Sequence, residues 1–138
     1  AEYRESLAEH VVPCIVEWDD RAVGYMQFVK MEDAAYYEIP QAEWDRAVRP
    51  GETAYGIDMY IGEVDCRDRG LGTRMLNLLA SALFASYGAD VLLIDPKTHN
   101  ARAIACYRKC GFHDCCVVPQ REKQDGVLHD SLIMARHA

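Results

Sequence analysis

The chain has 138 residues, half of them apolar and 27% charged, the balance of a soluble globular protein with one hydrophobic core. Its formal charge of −7 argues against nucleic acid, whose binders carry a basic face; it suits a cationic small-molecule partner and, equally, plain solubility. No apolar run approaches the roughly 20 residues that span a bilayer. The opening AEYRESLAEH is polar rather than basic then apolar, so no signal peptide is expected.

No repeat, linker or low-complexity tract divides residues 1–138, which read as a single domain. Residues 2–9 read as the end of a helix. VPCIVEW (12–18) and AVGYMQFVK (22–30) are strand-like and joined by a polar Asp19-Asp20-Arg21 turn, a hairpin pattern. Residues 31–53 form a polar, aromatic-rich connection with a short helix expected over Gln41–Val48, after Pro40. AYGIDMYIGEV (54–64) returns to strand, and a glycine-containing stretch then opens a long helix to about Tyr87. In that helix Leu71, Met75, Leu78, Leu79, Ala82 and Leu83 recur at three- and four-residue spacing and predict the core face, opposite Arg74, Asn77 and Ser81. Ala89–Asp95 is a short apolar run ended by Pro96, as a central strand would be. Asn100–Cys110 predicts a second helix with Gly111 as its C-cap. His113–Val118 and Leu128–Ala135 predict a closing hairpin around a charged Gln120–Gly126 turn. This order predicts an α/β fold, a mixed sheet with helices on its faces.

The six cysteines are Cys14, Cys66, Cys106, Cys110, Cys115 and Cys116. Without a secretion signal, reduced thiols and a cytoplasmic location are expected. Cys106, Cys110, Cys115 and Cys116, with His99 and His113, are the candidate ligands for a zinc site. They contain no CxxC pair and lie on apolar helix and strand, so buried thiols and no metal are the expectation.

The stretch Arg67-Asp68-Arg69-Gly70-Leu71-Gly72-Thr73 places R-x-x-G-x-G between a strand and a helix. A helix N-terminus offers unpaired N–H groups and the positive end of its dipole, and glycines let an anion approach the backbone. An ordinary glycine-containing loop is the alternative. A dinucleotide fingerprint fails, because the glycines follow the third strand with the wrong first gap, and a Walker loop fails because no G-K-[ST] follows.

The element order, the R-x-x-G-x-G loop, and the run Asn100-Ala101-Arg102-Ala103-Ile104-Ala105-Cys106-Tyr107-Arg108-Lys109-Cys110-Gly111-Phe112 together resemble the GNAT acetyltransferase superfamily. The last run is close to its N-x-x-A-x-x-x-Y-x-K-x-G-F signature. Gly56-Ile57-Asp58, Gly70-Leu71-Gly72-Thr73 and Asp95-Pro96 are similar to aminoglycoside 6'-N-acetyltransferases. The resemblance covers about residues 10–135. It implies a GNAT-like, mostly antiparallel sheet, with the family's usual N-terminal strand and helix missing. An edge strand so exposed would invite pairing with a second copy.

The resemblance also implies acetyl transfer from acetyl-CoA to a primary amine of a cationic small molecule, by direct transfer in a ternary complex. A polyamine, lysine-like or peptide amine is the alternative acceptor, and a non-catalytic acyl-CoA-binding module the alternative of another class. Backbone groups of Arg67, Asp68, Arg69, Gly70, Leu71, Gly72 and Thr73 would hold the CoA pyrophosphate. Those of Met59, Tyr60 and Ile61 would pair with pantetheine, helped by Asn100. Tyr107 would be the general acid; a core tyrosine is the other reading. Asp58, a carboxylate within the apolar run Tyr55–Ile61, is costly unless paired or functional, and could accept the ammonium proton; a structural ion pair competes with this. Asp95 would anchor the acceptor amine, or merely start the turn at Pro96. Glu38, Glu43 and Trp44 are the first choices in the 31–53 connection for meeting ammonium groups and sugar faces.

Overall fold

The computed structural model describes residues 11–18, 21–33, 38–61, 70–124 and 127–138. In chain order the elements are β1 (Val11–Trp18), β2 (Arg21–Met31), α1 (Gln41–Ala47), β3 (Ala54–Ile61), α2 (Leu71–Ser86), β4 (Val91–Ile94), α3 (Ala101–Lys109), β5 (His113–Gln124) and β6 (Val127–His137). The six strands form one sheet in the order β1-β2-β3-β4-β6-β5. Only β3 and β4 run parallel; every other neighbouring pair is antiparallel.

Strand alternation divides the core in two. Met26, Phe28, Ile57, Leu92, Ile94 and Met134 face the side covered by α2 and α3. Met31, Ala54, Val91, Leu93, Ile133 and Ala135 face the side where α1 packs Trp44 and Ala47. Covered on both faces, β4 is buried at every position, which is why its sequence VLLI is apolar without alternation. The start of the β3–β4 seam is clasped: the Thr53 N–H donates to Asp90 Oδ2 at 2.7 Å, and the Asp90 N–H donates back to the Thr53 carbonyl at 2.8 Å.

Two sequence expectations change. The buried stripe of α2 is Gly72, Met75, Leu76, Leu79, Ala80 and Leu83. Leu78, placed in the core by spacing, is 71% exposed, and Ala82 is exposed as well. Leu76 and Ala80 carry the i, i+4 contact instead, because a small residue lets α2 approach the sheet closely. The closing hairpin is also longer than expected. Glu122↔His129, Lys123↔Leu128 and Gln124↔Val127 are paired, so most of the charged Gln120–Gly126 segment is strand. Charge is no bar there, since β6 satisfies the backbone and β5 is an edge strand. The helix expected over residues 2–9 and the turn residues Asp19 and Asp20 lie outside the described residues.

Candidate active site

The site begins where two ladders stop at different places. Pairing between β3 and β4 ends at Ile57↔Ile94, whereas pairing between β2 and β3 continues to Gly24↔Ile61. β3 and β4 therefore part beyond Ile57 and Ile94. Among the described residues no strand pairs with Met59–Ile61 on the β4 side. Asp58 and Asp95 are the next residue on each strand, so two carboxylates flank the mouth of the wedge.

Tyr107 comes from α3. It is 7% exposed and packs in the core between α2, α3 and the sheet. Burial, followed by Cys106, Asp95, Asp58 and Cys110, holds its hydroxyl above the ordinary tyrosine range, so it keeps its proton. Asp95 and Asp58 thus both contribute to keeping the proton on Tyr107.

Asp58 is held from the neighbouring strand. Gln27 Nε2 donates to Asp58 Oδ2 at 2.8 Å, and the Tyr25 hydroxyl donates to Gln27 Oε1 at 2.9 Å. Gln27 stands directly opposite Asp58 in the β2–β3 register. The sequence reading missed both residues. The available signal was one amide inside the apolar run Tyr25-Met26-Gln27-Phe28-Val29.

The first turn of α2 suits an anion. Its N-cap Gly70 takes a left-handed backbone (φ 68°, ψ 13°), supplies no side-chain cap, and is followed by no acidic residue in the first turn. Among the described residues no side chain caps the N–H groups there, and the helix dipole favours negative charge. A Cβ on Gly70 would meet nothing within 4 Å, so its glycine is required by φ rather than by space. Arg67, Asp68 and Arg69 lie outside the described residues. Thr73 ties this turn to α3: its Oγ1 lies 3.6 Å from Cys106 Sγ, and its carbonyl accepts from Cys110 Sγ at 3.7 Å. Asn100 is the N-cap of α3, its Oδ1 accepting the Ala103 N–H at 3.2 Å. One side of its amide is thus engaged within the helix, leaving the Nδ2 group as the part that can face a ligand.

The remaining acceptor candidates lie on α1 or just before it. Trp44 is 8% exposed, in the core cluster with Met31, Ile39, Val91 and Leu93, so its ring is not a surface for a sugar. Glu43 pairs with Arg46 and acts on Cys115 and Cys116 of β5, two strands from β4. Glu38 is exposed and adopts a left-handed backbone, φ 56°. The thiols of Cys106, Cys110, Cys115 and Cys116 are free, and the described residues contain no cluster of three or more metal-ligating side chains. They also contain no helix long and apolar enough to cross a membrane.

Comparisons with known proteins agree with this geometry. Residues 1–118 match the acetyltransferase (GNAT) domain family. The chain is 30% identical, over 106 residues, to the aminoglycoside N(6')-acetyltransferase type 1 of Klebsiella pneumoniae, and the match covers 75% of this chain. It is 35% identical to a kanamycin resistance protein of Rhizobium radiobacter over 69 residues, half of this chain. The matches span 48% and 62% of those two proteins' lengths. The fold superposes, with a TM-score of 0.69 and 28% identity, on aminoglycoside acetyltransferase AAC(6')-Ib in complex with coenzyme A and kanamycin, covering 96% of this chain and 70% of that one. A sheet that parts between its two parallel strands, a helix start whose N-cap glycine offers no side-chain cap, and the match of residues 1–118 agree: the chain belongs to the GNAT acetyltransferase family.

Proposed function

We propose that the protein transfers the acetyl group of acetyl-CoA to a primary amine of a cationic small molecule, the 6'-amine of an aminoglycoside being the best-supported acceptor. The observation that carries this is the wedge beyond Ile57↔Ile94, with Asp58 and Asp95 at its mouth and protonated Tyr107 on the side covered by α2 and α3. The similarity to aminoglycoside N(6')-acetyltransferase supports the acceptor.

Acetyl-CoA supplies the activated thioester. The N–H groups from Gly70 to Thr73 suit its pyrophosphate, joined by the Arg67–Arg69 stretch, and the Met59–Ile61 edge suits the amides of its pantetheine arm. An alkyl ammonium with a pKa of about 10 is almost wholly protonated at neutral pH and cannot attack. Asp58 accepts its proton, directly or through water, and Asp95 holds the amine in line. Tyr107 keeps its proton until the thiolate departs and then donates it. Cys106 and Cys110, turned towards Thr73, serve packing rather than covalent chemistry. The sheet's two edges, β1 and β5, are where a second copy would pair.

The test is thiol release from acetyl-CoA against aminoglycosides, polyamines and lysine peptides, including an aminoglycoside with a hydroxyl in place of the 6'-amine. Turnover of 6'-amino compounds alone supports the assignment. Turnover of polyamines or peptides alone moves the acceptor, and clear CoA binding without turnover rejects the enzyme reading.

A further inference from the structure

We propose that Gln27 is a positioning residue, which with Tyr25 holds the Asp58 carboxylate in the orientation needed to receive the acceptor amine. This rests on the reading of Asp58 given above, and goes beyond it by assigning the control of that group to the neighbouring strand. Gln27 and Asp58 are 31 residues apart in sequence but directly opposed in register, with a 2.8 Å hydrogen bond between them. The register cannot slip. Met26 and Phe28, on either side of Gln27, and Ile57, next to Asp58, are buried on the opposite face, and a one-residue shift would turn them outward.

The amide itself has one orientation. The Tyr25 hydroxyl donates to Oε1 at 2.9 Å, which turns the Nε2 donor towards Asp58; the reversed amide would set Nε2 against the hydroxyl and Oε1 against a carboxylate. The carboxylate is therefore gripped through Oδ2 and restrained about its own axis. A neutral donor is the appropriate grip. Lysine or arginine there would hold Asp58 equally well but would cancel the charge that attracts an ammonium group.

The experiment compares Gln27→Met, Tyr25→Phe and the double variant in the acetyl-transfer assay, alongside thermal denaturation. Methionine keeps the length of the side chain and removes its hydrogen bonds. Losing a hydrogen bond to a charged group is expected to lower kcat/KM for the acceptor about ten- to hundredfold, with KM for acetyl-CoA unchanged. Tyr25→Phe is expected to cost less, and to cost nothing further once Gln27 is methionine, because the two act in series. An acceptor kcat/KM within twofold of wild type in folded Gln27→Met, or additive losses in the double variant, would overturn the proposal.

A second arm needs no activity. The Gln27 side-chain amide protons should exchange slowly with water in the wild type and rapidly in Asp58→Ala. Rapid exchange in the wild type would overturn the proposal even if Gln27→Met did not fold. Absence of turnover in the wild type would instead count against the acetyltransferase reading, leaving this amide signature to decide the role of Gln27.

Discussion

Replacing Trp44 by alanine separates the two roles that its sequence position allows. The side chain is 8% exposed, packed among Met31, Ile39, Ala47, Val48, Ala54, Val91 and Leu93. A buried tryptophan removes up to about 250 Å² from water. At about 25 cal/mol per Å² the ceiling is about 6 kcal/mol, and Trp→Ala changes in cores cost about 3–5 kcal/mol in practice. In a domain between the 100- and 150-residue size classes each kcal/mol shifts Tm by about 3–5 °C, so Trp44→Ala should lower Tm by about 10–20 °C. Circular dichroism melts measure this, with Trp44→Phe as the milder variant. KM for the acceptor in Trp44→Phe should stay at the wild-type value. A small Tm change with a raised acceptor KM would refute the core assignment and return Trp44 to the acceptor surface.

Tyr107→Phe should lower kcat about a hundredfold or more, with KM for acetyl-CoA little changed; retention of kcat would remove Tyr107 as the acid. The same residue has a linkage signature. Its folded-state pKa is raised, so its contribution to stability is complete below the ordinary value of about 10 and falls as pH rises above it. Urea unfolding should therefore show the wild type losing stability above pH 10 more steeply than Tyr107→Phe, and parallel curves would contradict the burial argument. Asn100→Ala removes the α3 cap and should cost about 1 kcal/mol; a loss of CoA affinity beyond that measured for Asn100→Asp, which keeps the cap oxygen but not the amide donor, would show how much the cap matters to the ligand. The Cys110 thiol, pushed up to about 11 mainly by burial, should resist alkylation at pH 8 in the native state and react once unfolded. Rapid native labelling would mean that the contact between α2 and α3 opens readily.

What the sequence carried depended on whether a signal was local. The short helix after Pro40, β4 before Pro96, and α3 from Asn100 to the Gly111 stop are set by periodicity and punctuation within a few residues, and the structure has them within one or two positions. Asp58 stood out because a carboxylate in an apolar strand is conspicuous wherever the strand goes. Gln27 did not: its meaning comes from a partner on another strand, and only the register reveals it. Trp44 is buried although acidic neighbours make its segment look like surface. The spacing of Trp44, Ala47 and Val48 already described a buried stripe, and the structure buries all three. Leu78 failed for the opposite reason, as a leucine near the correct phase but on the solvent side of α2.

The parting between β3 and β4 has a consequence for how the proposed site is assembled. The sheet is two antiparallel triplets, β1-β2-β3 and β4-β6-β5, stitched together by the four parallel pairs from Ala54↔Val91 to Ile57↔Ile94. Asp58 and the residues that grip it belong to one triplet, and Asp95 to the other. Neither half holds both of the carboxylates that the proposed function uses. On the proposed function the site is complete only when the halves dock, clasped at Thr53 and Asp90 and left ajar at the other end, so acetyl transfer would report on the assembly of the sheet.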